Sequence, residues 1–148
     1  MASFSISFSC LIPAFSTNTL FAMLKLHTPT DIFKPIGPYA QAIEASAIDR
    51  ILFISGTMGI ENDGSIPEGF EAQANSVWSN IAATLHAAHM RFSNLAKLTI
   101  WLANRDDWLL AAQIRQRYLG DHKVAMSVVQ VGLIDPKWLL EVEAIAVA

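Results

Sequence analysis

Two glutamates near the carboxyl end have the residue type and the spacing that could perform chemistry. Glu141 and Glu143 lie two residues apart in a run, Trp138 to Val147, that is typical of a strand. Both carboxylates therefore point to one face of a sheet. A carboxylate on a mostly apolar strand is either solvated at an edge or lines a cleft, where it could hold or activate a water molecule. Spacing alone leaves these two interpretations about equal, and it does not support an acid and base pair.

Other residues that could be reactive make weaker candidates. His86 and His89 stand three apart on a predicted helix, but the sequence shows no third metal ligand, so we expect an ordinary helical histidine pair. Residues 56–59 (GTMG) follow a strand but lack the dinucleotide and phosphate-loop patterns. Cys10 is the only cysteine, which excludes an intramolecular disulfide and a cysteine-based zinc cluster. These residues therefore give no indication of a metal ion or a cofactor.

The composition limits the class of protein. The chain has 148 residues, of which 53% are hydrophobic and 16% charged, with a net charge of −3. This length predicts one domain, and the composition excludes an intrinsically disordered chain. A mildly acidic chain does not supply the positive field that nucleic-acid binding needs, so we expect no nucleic-acid partner. The surplus of apolar residues fits a membrane protein, an apolar tail or surface buried in an oligomer.

The first 22 residues differ from the rest. Residues 1–22 are apolar and rich in serine, and they contain no charged side chain. Their serines and threonines make them too polar for a transmembrane helix, and they lack the basic segment of a secretory signal. A poorly ordered or cleaved leader and an upstream start before a functional initiator at Met23 are both open, and we favour the second. We place the domain at 23–148, where no window suggests a membrane span, and expect a cytoplasmic protein.

Two segments have the pattern of helices. Apolar residues recur every three or four positions from Phe70 to Met90, which predicts one amphipathic helix. A second helix is predicted from Asp106 to about Leu119. Its acidic start and the cations Arg115 and Arg117 in its second half match the helix dipole, and we assign the two arginines that role.

Five runs have the pattern of strands, and residues 25–39 are predicted to be irregular because of their prolines and glycine. The resulting order is β-β-α-β-α-β-β. Strand–helix–strand connections favour neighbouring parallel strands, with both helices on one sheet face. The second face carries apolar residues, which favours burial in an oligomer. The predicted strands are Tyr39 to Ala47, Arg50 to Ser55, Leu95 to Ala103, Ala125 to Leu133 and Trp138 to Val147.

Four stretches, taken in order, resemble the Rid family of enamine/imine deaminases, also called the YjgF/YER057c/UK114 family. They are residues 36–42 (IGPYAQA), 52–56 (LFISG), 72–74 (AQA) and 141–147 (EVEAIAV). The resemblance extends from about residue 23 to the end. Family chains commonly begin near the position of Met23, which is why we treat the leader as lying outside the family domain.

The resemblance implies an α+β fold like that of the trimeric chorismate mutases. In that arrangement the sheets of three subunits form a central barrel, the helices face outward and three pockets lie at subunit interfaces. Active members hydrolyse a 2-imino acid to a 2-keto acid and ammonia without a metal or organic cofactor. In them an arginine binds the substrate carboxylate with a fork of donors, and a glutamate on the last strand positions the attacking water.

Five site residues carry over by position. Tyr39 matches the pocket tyrosine of the family's Gly-Pro-Tyr motif. Ser55 and Gly56 match its Ser-Gly turn. Glu141 matches the water-positioning glutamate, and Glu143 matches the second acid of the same motif. The resemblance thus favours the cleft interpretation of the two glutamates.

The chain departs from the family at the arginine. The family motif Pro-Ala-Arg-Ser corresponds here to residues 124–127 (VAMS), so Met126 stands at the arginine position and Ser127 at the serine position. Val128 replaces the usual cysteine, and Ala112 replaces an asparagine of the second helix. Methionine offers neither a donor nor a charge, so a charge-assisted contact with a carboxylate, worth about 1.5–3 kcal/mol, is lost at this position. We therefore expect weak or no deamination of small 2-imino acids. Lys123 is the nearby cation that could replace the missing charge.

Three functions follow, in order of preference. The first is a Rid-type hydrolase of altered specificity that acts on an imine, an enamine or a related small metabolite. The second is a non-catalytic trimer that binds a small molecule or a protein. The third and least favoured is the endoribonuclease or translation-inhibitor activity sometimes attached to the family, because the chain has no basic stripe.

Overall fold

A computed structural model describes residues 22–148, so residues 1–21 of the proposed leader lie outside the described part. No helix of the described part is long and apolar enough to cross a membrane. Short 3-10 turns at Phe92–Asn94 and Arg105–Asp107 precede the fourth strand and the second helix. The main elements are β1 (Met23–His27), β2 (Ala42–Ser46), β3 (Ile51–Met58), α1 (Phe70–Ala87), β4 (Leu95–Leu102), α2 (Trp108–Leu119), β5 (Ala125–Gln130) and β6 (Leu140–Val147).

The main sheet has four strands in the order β3-β6-β4-β5. β6 is antiparallel to both of its neighbours, whereas β4 and β5 are parallel. The expected parallel neighbours are therefore found for the β4-α2-β5 crossover. The same expectation was wrong for β3 and β4, because the last strand inserts between them and pairs with both. The predicted α+β fold, with a mixed sheet and two helices, is confirmed.

One core joins both helices to one sheet face. The apolar stripe of α1 is buried as predicted, with Val77 and Ile81 fully inaccessible. It meets the alternate residues of β4 and β6, of which Leu98 and Val142 are also fully buried. Because both helices contribute to this single cluster, residues 22–148 leave the opposite face of the sheet uncovered.

Helix α1 ends at Ala87 rather than at the predicted Met90. His89 adopts the left-handed conformation, with φ 56°. Its amide donates to the His86 carbonyl at 2.9 Å, and the Met90 amide donates back to Leu85 at 2.8 Å. This is a Schellman closure made without glycine, so its usual sequence marker is missing. The chain turns there, and Met90 is buried against the core.

A strand was missed near the start of the domain. β1 pairs with β2 in an antiparallel register from Met23↔Ser46 to His27↔Ala42, forming a separate two-stranded sheet. The prolines that follow β1 led to the expectation of an irregular segment, but they begin only at Pro29. The neighbouring strand is shorter than predicted, and Ala40 instead forms a bridge to Ala125 of the main sheet.

The late strands are shorter than predicted because their partner strand ends. β4 stops at Leu102, which lies opposite Gln130 of β5 and Leu140 of β6. Residues beyond this row have no continuous strand to pair with, so the ladder ends despite their β-like composition. Helix α2 begins at Trp108, two residues later than predicted, because the Asn104 side chain accepts from the Asp106 amide and holds a 3-10 turn first.

Candidate functional site

The Glu141 carboxylate lies directly on the backbone of Gly56. A side chain at position 56 would overlap Glu141 Oε1, and its Cβ would lie 2.8 Å from Cδ. The strand register shifts by one residue between Ile54 and Thr57, so Ser55 and Gly56 together face one residue of β6. Such a bulge re-aims the backbone and is common beside functional sites. Two residues predicted for the site are therefore in contact.

The two glutamates point to the same uncovered face of the sheet, as their spacing predicted. Glu141 is half-buried and pairs in register with Trp101, whereas Glu143 is exposed and pairs with Thr99. Thr99 in turn lies opposite Ser127 of β5, which is also exposed. Ser127 therefore belongs to the face that carries the glutamates.

Met126 and Val128 point the other way. Their register partners Leu98 and Ile100 are buried beneath the helices, and both side chains pack against that core. They line a cavity of about 670 Å³ at the edge of the sheet, together with Tyr39. The other walls of this cavity come from residues 32–41 and from the exposed start of α2. We call it the α2 cavity.

The structure thus brings the predicted site residues together in two groups. One group is Glu141, Glu143, Ser55, Gly56 and Ser127 on the uncovered sheet face. The other is Tyr39, Met126 and Val128 in the α2 cavity. The two groups lie on opposite sides of one sheet, so a single chain does not bring them into one pocket.

Lys123 does not line the α2 cavity. It lies in an adjacent cleft of about 440 Å³, which it shares with Lys34 and Tyr39. The α2 cavity does contain Ala112, the residue that matches the asparagine of the second helix. The three positions at which the resemblance implies a family side chain that this chain lacks, Ala112, Met126 and Val128, therefore all line the same cavity.

Sequence reasoning missed Arg115. Its residue surface is only 4% exposed, and it lines the α2 cavity three positions after Ala112. Its Nε has no hydrogen-bond partner within residues 22–148, and burial lowers the pKa of its guanidinium. Its side chain faces inward from α2, a direction that the match to the helix dipole did not indicate. Arg117 does lie on the surface, where it pairs with Glu71 at 3.1 Å.

A signal for Arg115 was present in the sequence. It stands four residues after Ala111 and four before Leu119, both of which are buried on the inner face of α2. A cation on the apolar stripe of a helix has to find a partner or a ligand, because an isolated buried charge is costly. No cluster of three histidine, cysteine, aspartate or glutamate residues suited to a metal ion occurs between residues 22 and 148.

Comparisons with known proteins agree with this architecture. The family model described as Endoribonuclease L-PSP matches residues 29–148. A RutC family protein of Pyrococcus horikoshii is 36% identical over 115 residues, which cover 76% of this chain and 89% of that protein. The 2-iminobutanoate/2-iminopropanoate deaminase of Mus musculus is 32% identical over 114 residues, covering 76% and 82%. A solved Rid family protein from Yersinia pestis has a TM-score of 0.74 at 26% identity, covering 84% of this chain and 98% of that one.

The fold and these matches define a small α+β domain with two helices against one face of a mixed sheet. The chain belongs to the Rid, or YjgF/YER057c/UK114, family. The resemblance derived from the four sequence motifs is thereby confirmed.

Proposed function

We propose that the protein is a Rid-type hydrolase that acts on a reactive imine, enamine or related small metabolite, with water positioned by Glu141. The observation that carries the proposal is the contact between the Glu141 carboxylate and Gly56. A glycine at that point leaves room for a carboxylate that any larger residue would displace. The similar Mus musculus protein is named for deamination of 2-iminobutanoate and 2-iminopropanoate, which supports the same reaction class.

Hydrolysis needs a water molecule, a base and a path for ammonia to leave. The Glu141 carboxylate accepts a proton from water as the oxygen attacks the C=N carbon, forming a C–O bond and a carbinolamine. The carboxyl group returns that proton to the nitrogen, which completes the carbinolamine. The hydroxyl proton then passes to the nitrogen as well, the C–N bond breaks, and ammonia leaves as the carbonyl forms. The sum is imine plus water giving ketone plus ammonia, and it requires no metal or organic cofactor.

The proposed pocket lies between subunits of a homotrimer. The uncovered sheet face of one chain carries Glu141, whereas Tyr39 and Met126 lie across the sheet in the α2 cavity. A second copy packed against the first would bring Glu141 of one chain next to Tyr39 and Met126 of the other. The uncovered face has apolar surface to bury there, since Phe53 is 73% exposed and Ile51 is 51% exposed. We propose a homotrimer on this basis, and a cytoplasmic location stays a prediction from the sequence.

The test is an assay in which an amino-acid oxidase generates the imine and semicarbazide traps what remains. Glu141→Ala is expected to lower turnover at least 100-fold, since general-base catalysis contributes about that much or more. Its ligand binding and melting temperature are expected to remain. Turnover by Glu141→Ala at the rate of the unmodified protein would overturn the proposal.

The choice of imine tests the departure at Met126. Small substrates such as 2-iminopropanoate are expected to react slowly, because no strand arginine binds their carboxylate. Met126→Arg is expected to raise their turnover by about 10-fold or more, matching a charge-assisted hydrogen bond. Equal rates for the variant and the unmodified protein would contradict this specificity.

The alternative is a trimer that binds a ligand without converting it. The losses at Met126 and Ala112 favour it, because both remove polar groups from one cavity. A ligand that raises the melting temperature equally in the unmodified protein and in Glu141→Ala, without turnover in either, would favour this alternative. Ribonuclease activity remains the least favoured, because the chain carries a net charge of −3.

A further inference from the structure

Arg115 is a buried cation for which the described part of the chain provides no partner. Its Nε makes no hydrogen bond, and none of the ion pairs within residues 22–148 includes it. Three other arginines have partners elsewhere, since Arg50 donates to the Ala88 carbonyl, Arg105 lies near Asp106 and Arg117 pairs with Glu71. An unpaired buried charge is strongly unfavourable, so a guanidinium in this position needs an anion.

The α2 cavity holds a second unsatisfied polar atom. Gln41 donates its side-chain amide to the Phe33 carbonyl, and this orients its Oε1, which is buried without a hydrogen-bond partner in the described chain. Both Gln41 and Arg115 line the cavity. The Arg115 guanidinium, a cationic donor, and the Gln41 side-chain carbonyl, a neutral acceptor, therefore belong to residues that line the same cavity.

The remaining walls of the cavity are apolar or aromatic. Phe33, Trp108, Leu109 and Met126 contribute much of the lining. The cavity volume of about 670 Å³ lies in the range of sites that hold a drug-sized molecule. A two- or three-carbon acid would leave most of this apolar surface without a contact.

We propose that Arg115 binds the carboxylate of the substrate and so replaces, from helix α2, the arginine absent at Met126. The substrate class is then a carboxylate with a bulky branched or aromatic body, which the apolar walls accept, and an N–H that Gln41 accepts. The reaction assigned to this substrate rests on the proposed hydrolase function, but binding of the carboxylate does not.

Titration calorimetry with unreactive 2-keto acids tests the site without turnover. The unmodified protein is expected to bind 4-methyl-2-oxopentanoate at least 10-fold more tightly than 2-oxopropanoate, and the methyl ester of the larger acid only weakly. Arg115→Met is expected to lose at least 10-fold in affinity for the larger acid, and Arg115→Lys to lose less. Arg117→Met is the matched control, and its affinity is expected to stay unchanged.

Stability separates a ligand-binding role from a structural one. Removal of an unpaired buried charge is expected to leave the melting temperature of the ligand-free Arg115→Met variant equal or higher. An Arg115→Met variant that melts lower but binds the larger acid normally would overturn the proposal. Unchanged affinity at an unchanged melting temperature would overturn it too.

A transfer of the arginine gives a second, independent readout. The double variant Arg115→Met with Met126→Arg is expected to regain carboxylate binding and to prefer the smaller acid. Binding that is absent from Arg115→Met but intact in Glu141→Ala supports the site whatever the outcome for turnover. Loss of turnover in Glu141→Ala with normal binding by Arg115→Met would sustain the hydrolase and reject this site.

Discussion

At the scale of single residues, Gly56 sets where the Glu141 carboxylate can lie. Its backbone is not in the left-handed region, which in this chain is reached by Gly64, Gly69 and Gly120 among the glycines described. The need for glycine at position 56 is therefore steric, and it arises from one neighbour across the sheet. The side chain that would be displaced is the one to which we assign the chemistry.

We expect Gly56→Ala to reproduce the loss of turnover of Glu141→Ala. The added methyl group would occupy the space of Oε1, and the carboxylate would rotate away at little cost because it ends a flexible side chain. The melting temperature is expected to remain within a few degrees. Turnover above one tenth of the unmodified rate would contradict the steric role.

Gly59→Ala is the contrasting variant. Its Cβ would lie 2.6 Å from the Gln73 carbonyl oxygen and 2.7 Å from the Gln73 Cα, which are backbone atoms of α1. A helix backbone cannot rotate away, so we expect destabilisation of about 1–3 kcal/mol, as for other overpacked sites. Urea denaturation measures it, and a free energy of unfolding equal to that of Gly56→Ala would be the contrary result.

At the scale of elements, Gln73 joins helix α1 to the segment that leads into β6. Its buried amide donates to the carbonyls of Pro67 and Lys137, at 3.1 and 2.9 Å. Its Oε1 accepts from the Leu139 amide at 2.9 Å. These bonds hold the approach to the strand that carries Glu141. They give a physical role to the glutamine of residues 72–74, one of the stretches that indicated the family.

Replacement of this glutamine is expected to weaken the domain. Gln73→Met would lose three part-buried hydrogen bonds and leave their backbone groups unpaired, which costs about 3 kcal/mol at roughly 1 kcal/mol each. Gln73→Glu is expected to be at least as unstable at neutral pH, because its carboxylate would face two carbonyl oxygens. Urea denaturation provides the measurement, with the exposed Gln113→Met as control. Stability equal to that control would refute the role.

The stability of the β1–β2 pair is expected to depend on pH. The Glu44 carboxylate accepts from His27 Nε2 at 2.7 Å and lies 3.9 Å from Lys25 Nζ, and these contacts hold the pKa of Glu44 below its usual value. A lowered pKa in the folded state contributes stability above the unfolded pKa that is lost as the pH falls through the folded pKa.

We therefore expect Glu44→Gln to lower the melting temperature slightly at pH 6. The difference from the unmodified protein is expected to shrink as the pH falls below the ordinary glutamate pKa of about 4.3, and to disappear only below the lowered folded-state pKa, where the carboxyl group is protonated in both states. The effect should amount to a few degrees at most, because the group is fully exposed. A difference that grows on acidification would contradict the assignment.

At the scale of the whole molecule, one face of the main sheet is not covered by any element of residues 22–148. Phe53, Ile51 and Val129 are 73%, 51% and 44% exposed there, while the helices cover the other face. An apolar surface of this kind favours contact with a further copy of the chain. Under the proposed function, that contact would bring together the site residues that lie on the two faces of the sheet.

Phe53→Glu is expected to separate the subunits. It would place a charge in the middle of the proposed interface, where desolvation is costly. Light scattering after gel filtration is expected to show a mass falling toward the 16.2 kDa of one chain, with loss of turnover. Ala83→Glu makes the same charge change on an exposed position of α1 and should keep the assembly. A Phe53→Glu variant of unchanged mass would refute this interface.

Local patterns were sufficient to predict both helices, the strands from β2 to β6 and the common face of Glu141 and Glu143, because each follows from a period of 3.6 or two residues. The family followed from ordered motifs. The absence of an arginine at Met126 is likewise readable in the chain itself. Strand β1 and the glycine-free end of α1 were missed, because neither has a strong local marker.

Only the tertiary structure decided which residues meet. The insertion of β6 between β3 and β4, the contact of Glu141 with Gly56 and the inward direction of Arg115 all depend on pairing between distant segments. A period along the chain assigns a residue to a face, but the neighbour across a sheet or cavity depends on strand order and register. The low charge of the chain was evident from the sequence, whereas the cation buried beside Met126 became evident only in the fold.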